Sequence, residues 1–301
     1  MRVLGIGTAT LDIVNLVDRY PREDAEIRAS GQRVSRGGNA TNTLVVLSQL
    51  GHRCAWGGVI AAEPDSQRIL ADLQANGVDT SACVHHPGGK APTSYVCLSL
   101  ESGSRTIIHY RDLPEYSCAD FRSVDLSSWE WVHFEGREPR ETQGMLKYLR
   151  RQRPGLPCSV EVEKPRDGIE ALFSGPDLLL FSRTFAGERG YREPAAFLGS
   201  IRRRTATPLL VCGWGERGAV AMDSTGRLWE SPAYPPARVL DTLGAGDVLN
   251  AGVIHGLLHR RPLGQVLAGA CRLAGHKCGQ LGLQGLDDRL TLDADPTSSL
   301  R

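Results

Sequence analysis

The chain has 301 residues, a formal net charge of +1 and no long run of one sign. That length suffices for a large buried core in one or two domains, and the balanced charge leaves no basic footprint for nucleic acid or a membrane surface. No stretch approaches the apolar length of a membrane span, and residues 1–5 enter a strand rather than a signal peptide. Eight cysteines are scattered without CxxC spacing or nearby paired histidines, so they read as reduced core or pocket residues in a cytoplasmic protein.

Residues 2–7 read as a short buried strand ending in glycine. Gly5-x-Gly7 invites a dinucleotide-binding reading, which fails because Thr10 stands where the third glycine belongs. A second extended piece, 8–14, carries Asp12, either a turn acid or a ligand for two neighbouring polyol hydroxyls. A polar turn at 20–26 leads to Arg36-Gly37-Gly38-Asn39-Ala40-Thr41-Asn42 and an apolar helix closed by Gly51. Asn39 and Asn42 fall on one face of that helix's first turn. Asn39 alone would serve as a cap, but a diglycine plus a second amide favours a hydroxyl-binding helix start.

Strand 54–60, helix 64–76 and a short strand near 82–84 alternate as in a parallel sheet. His85 and His86 beside them face solvent. Two extended runs between 93 and 110 flank Glu101-Ser102-Gly103-Ser104, a hairpin signal. With the pieces from 11–35 they predict a small separate sheet, a lid over one continuous domain spanning 1–301. The alternation resumes with strand 129–134, helix 139–151, strand 158–162, a helix near 167–173, strand 177–181, a helix near 194–204 and strand 207–212. Arg202-Arg203-Arg204 reads as a solvated helix end. Gly213, Gly215 and Gly218 crowd the end of strand 207–212, which suits either close passage of a phosphate or base, or a hairpin turn. The last helix, 263–279, carries Cys271 and Cys278 on one face, and a polar, frayed tail follows from 287.

The most informative stretch is Asp241-Thr242-Leu243-Gly244-Ala245-Gly246-Asp247, between a strand-like 237–240 and an apolar helix from 248 to 258. The first N–H groups of a helix lack internal partners and lie at the positive end of its dipole, so they bind anions. A carboxylate beside an anion hole repels a static phosphate. It makes chemical sense if Asp247 takes a proton from a hydroxyl while the N–H groups stabilise a transferring phosphoryl group. A helix merely capped after a glycine turn is the plainer alternative.

The two signatures, Arg36–Asn42 and Asp241–Asp247, in this order and separation, resemble the ribokinase (pfkB-type) carbohydrate kinase family. Further stretches (residues 18–28, 102–107, 135–137, 160–166 and 277–279) look like the branch of that family that phosphorylates the 1-hydroxyl of fructose, and the resemblance covers residues 1 to about 288. It implies an α/β fold, a ribokinase-like three-layer architecture with a central, mostly parallel sheet plus a small β-sheet lid from about 11–35 and 93–111. It also implies a homodimer whose lids clasp, with Asp24 reaching a neighbour's sugar site. By the same match, Asp12, Gly38, Asn39 and Asn42 would hold sugar hydroxyls, and Arg105 would reach sugar and phosphate. Asp247 would be the base, with Gly244, Ala245 and Gly246 as the anion hole. Arg183, Gly213, Gly215, Gly218, Pro235, Asn250 and Cys278 would line the nucleotide site. ATP and Mg2+ are the implied cofactors, and a monovalent cation is compatible with them.

There are departures. Many family members carry Asn-x-x-Glu near the phosphates; here the corresponding segment is Ser182-Arg183-Thr184-Phe185, so the metal's protein contacts stay unassigned. Arg183 stands where a lysine is expected, keeping charge but not shape. Tyr110-Arg111-Asp112-Leu113-Pro114 is about one residue shorter than its counterpart near the sugar pocket. Alternatives at this stage are a same-family kinase for another ketose, ribose, a sugar acid or a nucleoside, a catalytically silent sugar sensor, and a nicotinamide-dependent dehydrogenase.

Overall fold

The structure, a computed structural model, describes residues 1–102 and 104–292. Gly103, in the expected 101–104 turn, and residues 293–301 of the expected tail lie outside the described residues. In chain order the first half comprises β1 (Arg2–Ile6), β2 (Thr10–Val17), β3 (Gly31–Gly37), α1 (Asn39–Gln49), β4 (Arg53–Gly57), β5 (Val59–Ala61), α2 (Pro64–Ala75), β6 (Val78–Asp79), β7 (Val84–His86), β8 (Thr93–Ser99) and β9 (Arg105–Tyr110). The second half adds α3 (Cys118–Arg122), β10 (Trp131–Glu135), α4 (Pro139–Gln152), β11 (Cys158–Val162), β12 (Leu178–Phe181), α5 (Arg183–Glu188), α6 (Pro194–Arg202), β13 (Leu209–Gly213), β14 (Ala219–Asp223), β15 (Leu228–Ser231), α7 (Ala245–Leu258) and α8 (Leu263–Cys278).

Nine strands form the main sheet in the order β15-β14-β13-β12-β11-β10-β1-β4-β6. All neighbours pair parallel except β13–β14 and β14–β15 at one edge. The strands β10, β11 and β12 are buried along their whole length, as a parallel sheet covered on both faces requires. One face packs on α1, α2, α7 and α8 through Leu44, Leu47, Leu73, Val253 and Leu267. The other packs on α4, α5 and α6 through Met145, Phe185 and Phe197. Chain order runs from β1 outward through β4 to β6, then returns to β10 on the other side of β1. The β1–β10 border is therefore the switch point, where open α/β sheets place their ligands.

The α/β class, the mostly parallel sheet and a separate small sheet are all present. The small sheet has four strands in the order β3-β2-β8-β9, drawn from the two expected segments. Its centre is a parallel pairing of β2 with β8, flanked by antiparallel partners.

Several local expectations change. Residues 237–240 form no strand but an exposed loop, tied by Leu240 N–H donating to the Cys278 carbonyl at 2.8 Å. The segment 54–60 splits at Gly58 into β4 and β5, and β5 pairs with β7 in a separate two-stranded sheet. The short strand beside β4 is β6 rather than 82–84. Residues 169–173 make a 3-10 turn, and α5 occupies 183–188, where no helix was expected. The start of the tail is ordered: Asp288–Thr291 is a 3-10 turn packed on α8.

Helix α7, which carries Asp247, is positioned by close contact with α8. A Cβ on Gly252 would stand 2.7 Å from the Ala270 Cα, and one on Gly256 would stand 2.9 Å from a Val266 methyl. Glycines four residues apart thus let the two helix backbones approach. In an open helix interior Gly→Ala adds stability; here Gly252→Ala forces the helices apart and is expected to destabilise by about 1–3 kcal/mol. A denaturant midpoint at or above that of the wild type would show that this contact does not set the position of α7.

Candidate active site

The site grows from the carboxyl ends of the central strands. Between β1 and β2 the chain passes Thr8, whose backbone N–H donates to Glu135 Oε2 at the end of β10 at 3.0 Å. The link from β3 to α1 runs through Gly37-Gly38. Gly38 has φ 105, and a Cβ there would lie 2.1 Å from the Thr8 carbonyl oxygen, so no side chain fits. A Cβ on Gly37 would meet Asp12 Oδ2 at 2.1 Å, so the Asp12 carboxylate lies directly over this turn. Thr10 Oγ1 donates to Asp12 Oδ1 at 3.0 Å.

Asn39 does not cap α1. Gly38 occupies the cap position with no side-chain bond, and Asn39 Nδ2 donates to Glu163 Oε2 at 3.2 Å. Asn42 Nδ2 donates to Asp247 Oδ2 at 2.7 Å, while Arg36 donates to Asn42 Oδ1 at 2.8 Å. Both amides thus reach acids beyond their own helix.

Asp247 is buried in the first turn of α7. Gly244 precedes that helix with φ 83, a left-handed conformation that favours glycine. The Ala245 N–H is engaged with the Thr242 carbonyl at 3.2 Å, so it is not an open donor. The N–H groups of Gly244, Gly246 and Asp247 show no partner among the described residues, and a Cβ on Gly246 would meet only open space. The open donors of this helix start are thus Gly244, Gly246 and Asp247 itself.

Four acids converge here. Glu135, Glu161 and Asp247 are buried, and Glu163 follows β11 on the same edge. Burial pushes the Asp247 carboxyl well up, opposed by the Asn42 amide and reinforced by Glu163 and Glu135. Burial also pushes Glu161 well up, with Asp247 as the next cause. Glu161 Oε1 accepts from Asn250 Nδ2 at 3.0 Å, while its buried Oε2 has no partner among the described residues. Burial raises Glu135 as well, with Arg137 opposing.

Glu135, Glu161 and Glu163 received no individual role from the sequence. The available signal was an acid in or just after an otherwise apolar strand, at the ends of β10, which pairs with β1, and of its neighbour β11. A second charged cluster borders Thr8: Arg111 pairs with Glu115, Arg137 donates to Glu115 at 3.0 Å, and Arg111 also reaches Thr8 Oγ1 at 3.3 Å. The short segment after β9 therefore delivers a guanidinium beside the link from β1 to β2, the strand that carries Asp12.

The small sheet touches the loop ahead of α7. Arg105 on β9 donates to Thr242 Oγ1 at 3.3 Å, and Arg33 on β3 pairs with Asp241 at 3.4 Å. Asp24 stands apart, exposed in the loop before β3 with φ 62. On the far side of α7, Gly213, Gly215 and Gly218 bracket the turn from β13 to β14, so that run is a hairpin. Arg183 at the start of α5 makes a two-pronged pair with Glu216 of that turn, at 2.7 and 2.8 Å. Pro235 lies within the loop from β15 to α7, and the Cys278 carbonyl accepts from the Leu240 N–H of that loop. Asn250, grouped with this nucleotide side by sequence, turns its amide to Glu161 on the acidic side instead.

A glycine-started helix that presents a buried carboxylate beside open N–H donors, at the switch point of a ribokinase-like sheet, has the geometry of a phosphoryl transferase acting on a hydroxyl. The profile of the pfkB family carbohydrate kinases matches residues 2–289, and the chain belongs to that family. Among its relatives, mouse ketohexokinase is 40% identical over 294 residues, covering 95% of this chain and 98% of that protein. The 1-phosphofructokinase of Rhodobacter capsulatus is 25% identical over 279 residues, covering 86% of this chain and 84% of that one. The structure of Arabidopsis thaliana ribokinase complexed with ribose and ATP superposes with a TM-score of 0.79 at 17% identity, covering 97% and 99% of the two chains. The protein is a sugar kinase with the ribokinase-like fold.

The loop ahead of α7 is pinned by a buried ion pair. Lys277, wholly buried on α8, lies 3.1 Å from Asp241 Oδ2 and donates to the Asp241 carbonyl at 2.8 Å. Burial alone would push the Asp241 carboxyl up, but the Leu243 N–H and Lys277 hold it below its usual range. Lys277→Met strips Asp241 of its buried counter-charge and is expected to destabilise by about 3–5 kcal/mol. Adding Asp241→Asn is expected to recover part of that loss. A double-mutant cycle with no coupling would remove the pair from any role in holding the loop.

Proposed function

We propose that this protein transfers the γ-phosphoryl group of ATP to the primary 1-hydroxyl of a ketose, with D-fructose as the acceptor. The observation that carries the reaction is Asp247, a buried carboxylate beside the open N–H donors of Gly244 and Gly246. The 40% identity to mouse ketohexokinase supports the acceptor. Asp247 takes the hydroxyl proton as the sugar oxygen attacks the γ-phosphorus in line. The bond from that phosphorus to the β–γ bridging oxygen breaks, and ADP leaves. The N–H donors and Arg105 stabilise the charge on the transferring group. Asp12, Gly38, Asn39 and Asn42 hold sugar hydroxyls. Gly213, Gly215, Gly218, Arg183 and Pro235 border the nucleotide, with Cys278 behind them.

Magnesium fits this edge. Glu161 offers a buried oxygen without a partner among the described residues, Glu163 lies next to it, and hard carboxylate oxygens suit that ion. Glu161 and Glu163 are the residues that would hold it, directly or through water. Magnesium would neutralise phosphate charge at this acid-rich edge.

The four-stranded sheet acts as the lid and as the dimer contact. Its register lines up Val34, Ile13, Tyr95 and Ile108 across all four strands, and Val34, Tyr95 and Ile108 are exposed. Such a row suits a second copy of the sheet, which would bring Asp24 toward the neighbouring sugar site. Tyr95→Lys with Ile108→Asp is expected to give a monomer by light scattering with a raised KM for the sugar. An unchanged dimer would exclude this face.

ADP release is the first measurement, against fructose, other ketoses, ribose, sugar acids and adenosine. Selective turnover with fructose to the 1-phosphate supports the proposal, and turnover only with another acceptor overturns its substrate. Asp247→Asn is expected to lower kcat by about 10²–10⁴-fold with sugar binding kept. Retained turnover would exclude Asp247 as the base.

The raised Asp247 carboxyl sets two further signs. The acid limb of kcat lies above the ordinary aspartate range, and Glu163→Gln, by removing a like charge, is expected to move it to lower pH. A folded pKa above the unfolded one also means that stability falls as pH rises through it. Asp247→Asn is therefore expected to raise Tm near pH 8, with the gain shrinking in acid. A pH-independent difference in Tm would contradict that linkage.

A further inference from the structure

At the end of α7 remote from Asp247, three histidines meet. His52 lies in the turn between α1 and β4, His255 in the last turn of α7, and His259 just after that helix. His52 and His255 are buried and His259 is exposed, and one nitrogen from each lies within 4.8 Å of the other two.

The partners assign the ring nitrogens. His255 Nε2 is 2.8 Å from Asp288 Oδ1, so it carries the proton and Nδ1 keeps its lone pair. The His259 Nδ1–H faces the His255 carbonyl at 2.9 Å, which leaves its Nε2 as the lone-pair nitrogen. His52 Nε2 lies 2.9 Å from His255 Nδ1, and its buried Nδ1 has no partner among the described residues. A hydrogen-bonded core would normally satisfy both nitrogens of a buried histidine. In this arrangement a lone pair of His255 and one ring nitrogen each of His52 and His259 lie within 4.8 Å of one another.

We propose that His52, His255 and His259 form a site for a late first-row divalent cation of the zinc class, separate from the kinase reaction. Two nitrogens about 2.05 Å from a tetrahedral zinc stand roughly 3.3 Å apart, so His52 Nε2 and His255 Nδ1, now 2.9 Å apart and facing each other, separate slightly and turn toward the ion as the exposed His259 ring swings in. His52 shifts its proton from Nε2 to the unpartnered Nδ1, and no proton is released.

Asp288 supplies the carboxylate behind His255, the arrangement that fixes a metal-binding imidazole and raises its basicity. Arg261 at 2.9 Å and Thr291 at 2.6 Å hold that carboxylate in place, and its pKa is lowered to about 2. Burial keeps His52 and His255 neutral, the form that binds metal. His259 also lines a cleft of about 810 Å³ with Met1, Trp129, Arg153, Leu257 and Arg260, the side from which an ion would enter. Imidazoles with no coordinating oxygen favour zinc, copper or nickel over magnesium. The ion would tie the segment after α1 to the end of α7, the two helices whose starts carry Asn42 and Asp247.

The test uses the full chain, stripped with a chelator and titrated with Zn2+ against a chromophoric competitor, then with Co2+. One Zn2+ per chain is expected, undiminished by excess Mg2+, with a raised Tm and a Co2+ spectrum of tetrahedral nitrogen coordination. Asp288→Asn is expected to weaken binding about 10–100-fold. His259→Ala, an exposed position that leaves the fold in place, is expected to weaken it at least as much, with the metal-free Tm and Mg2+-supported turnover unchanged. Equal Zn2+ affinity in wild type and His259→Ala would overturn the proposal, as would thiolate charge-transfer bands in the Co2+ spectrum.

Discussion

The hydrogen bond from Asn42 to Asp247 holds the rest of the site in register. At 2.7 Å it joins the first turn of α1 to the first turn of α7, across 205 residues of chain. Arg36 polarises the same amide from its oxygen side, so a cation acts on the carboxylate through a neutral intermediary. This keeps Asp247 oriented without neutralising it. A direct guanidinium pair would depress its pKa and weaken it in the proposed role of base.

Around that bond the protein collects like charges. Glu135, Glu161 and Glu163 share one sheet edge with Asp247, and three of the four acids are buried. Their repulsion makes the substrate-free site expensive, and the surrounding fold bears it. Two cores lie on opposite faces of the main sheet, and the Lys277–Asp241 pair fastens the approach to α7. A site of this sign favours positive charge, which is why magnesium belongs to the proposed reaction. The same repulsion raises the carboxyls in the empty state and relaxes when positive charge enters.

Much of this was legible before any coordinates. The strand and helix alternation gave the α/β class because a buried parallel strand reads as a short apolar run and each helix carries its own punctuation. Glu63 caps α2, with Pro64 in its first turn, and Gly51 follows α1 with φ 85. Gly244, Asp247, Asn39 and Asn42 stood out because a diglycine with two amides, and a glycine turn with an acid behind it, exceed what capping alone requires. Less legible was 237–240, which has β-type residues but no strand to pair with. Likewise 183–188 forms a helix because Ser182 accepts from the Phe185 N–H, a cap hidden inside a weakly periodic segment.

The sequence by itself determined the fold class and family, where a glycine turn leads into a helix with a carboxylate in its first turn, and which segments form the small sheet. These are local properties, set by a few neighbouring residues and their backbone preferences. Only the tertiary structure decided which distant groups meet. It put Asn250 on Glu161, Lys277 on Asp241, and His52 beside His255 and Asp288. Those contacts span dozens to hundreds of residues and depend on strand order. The placement of β10 next to β1 follows from how two buried faces close over one sheet, which no local stretch of chain encodes.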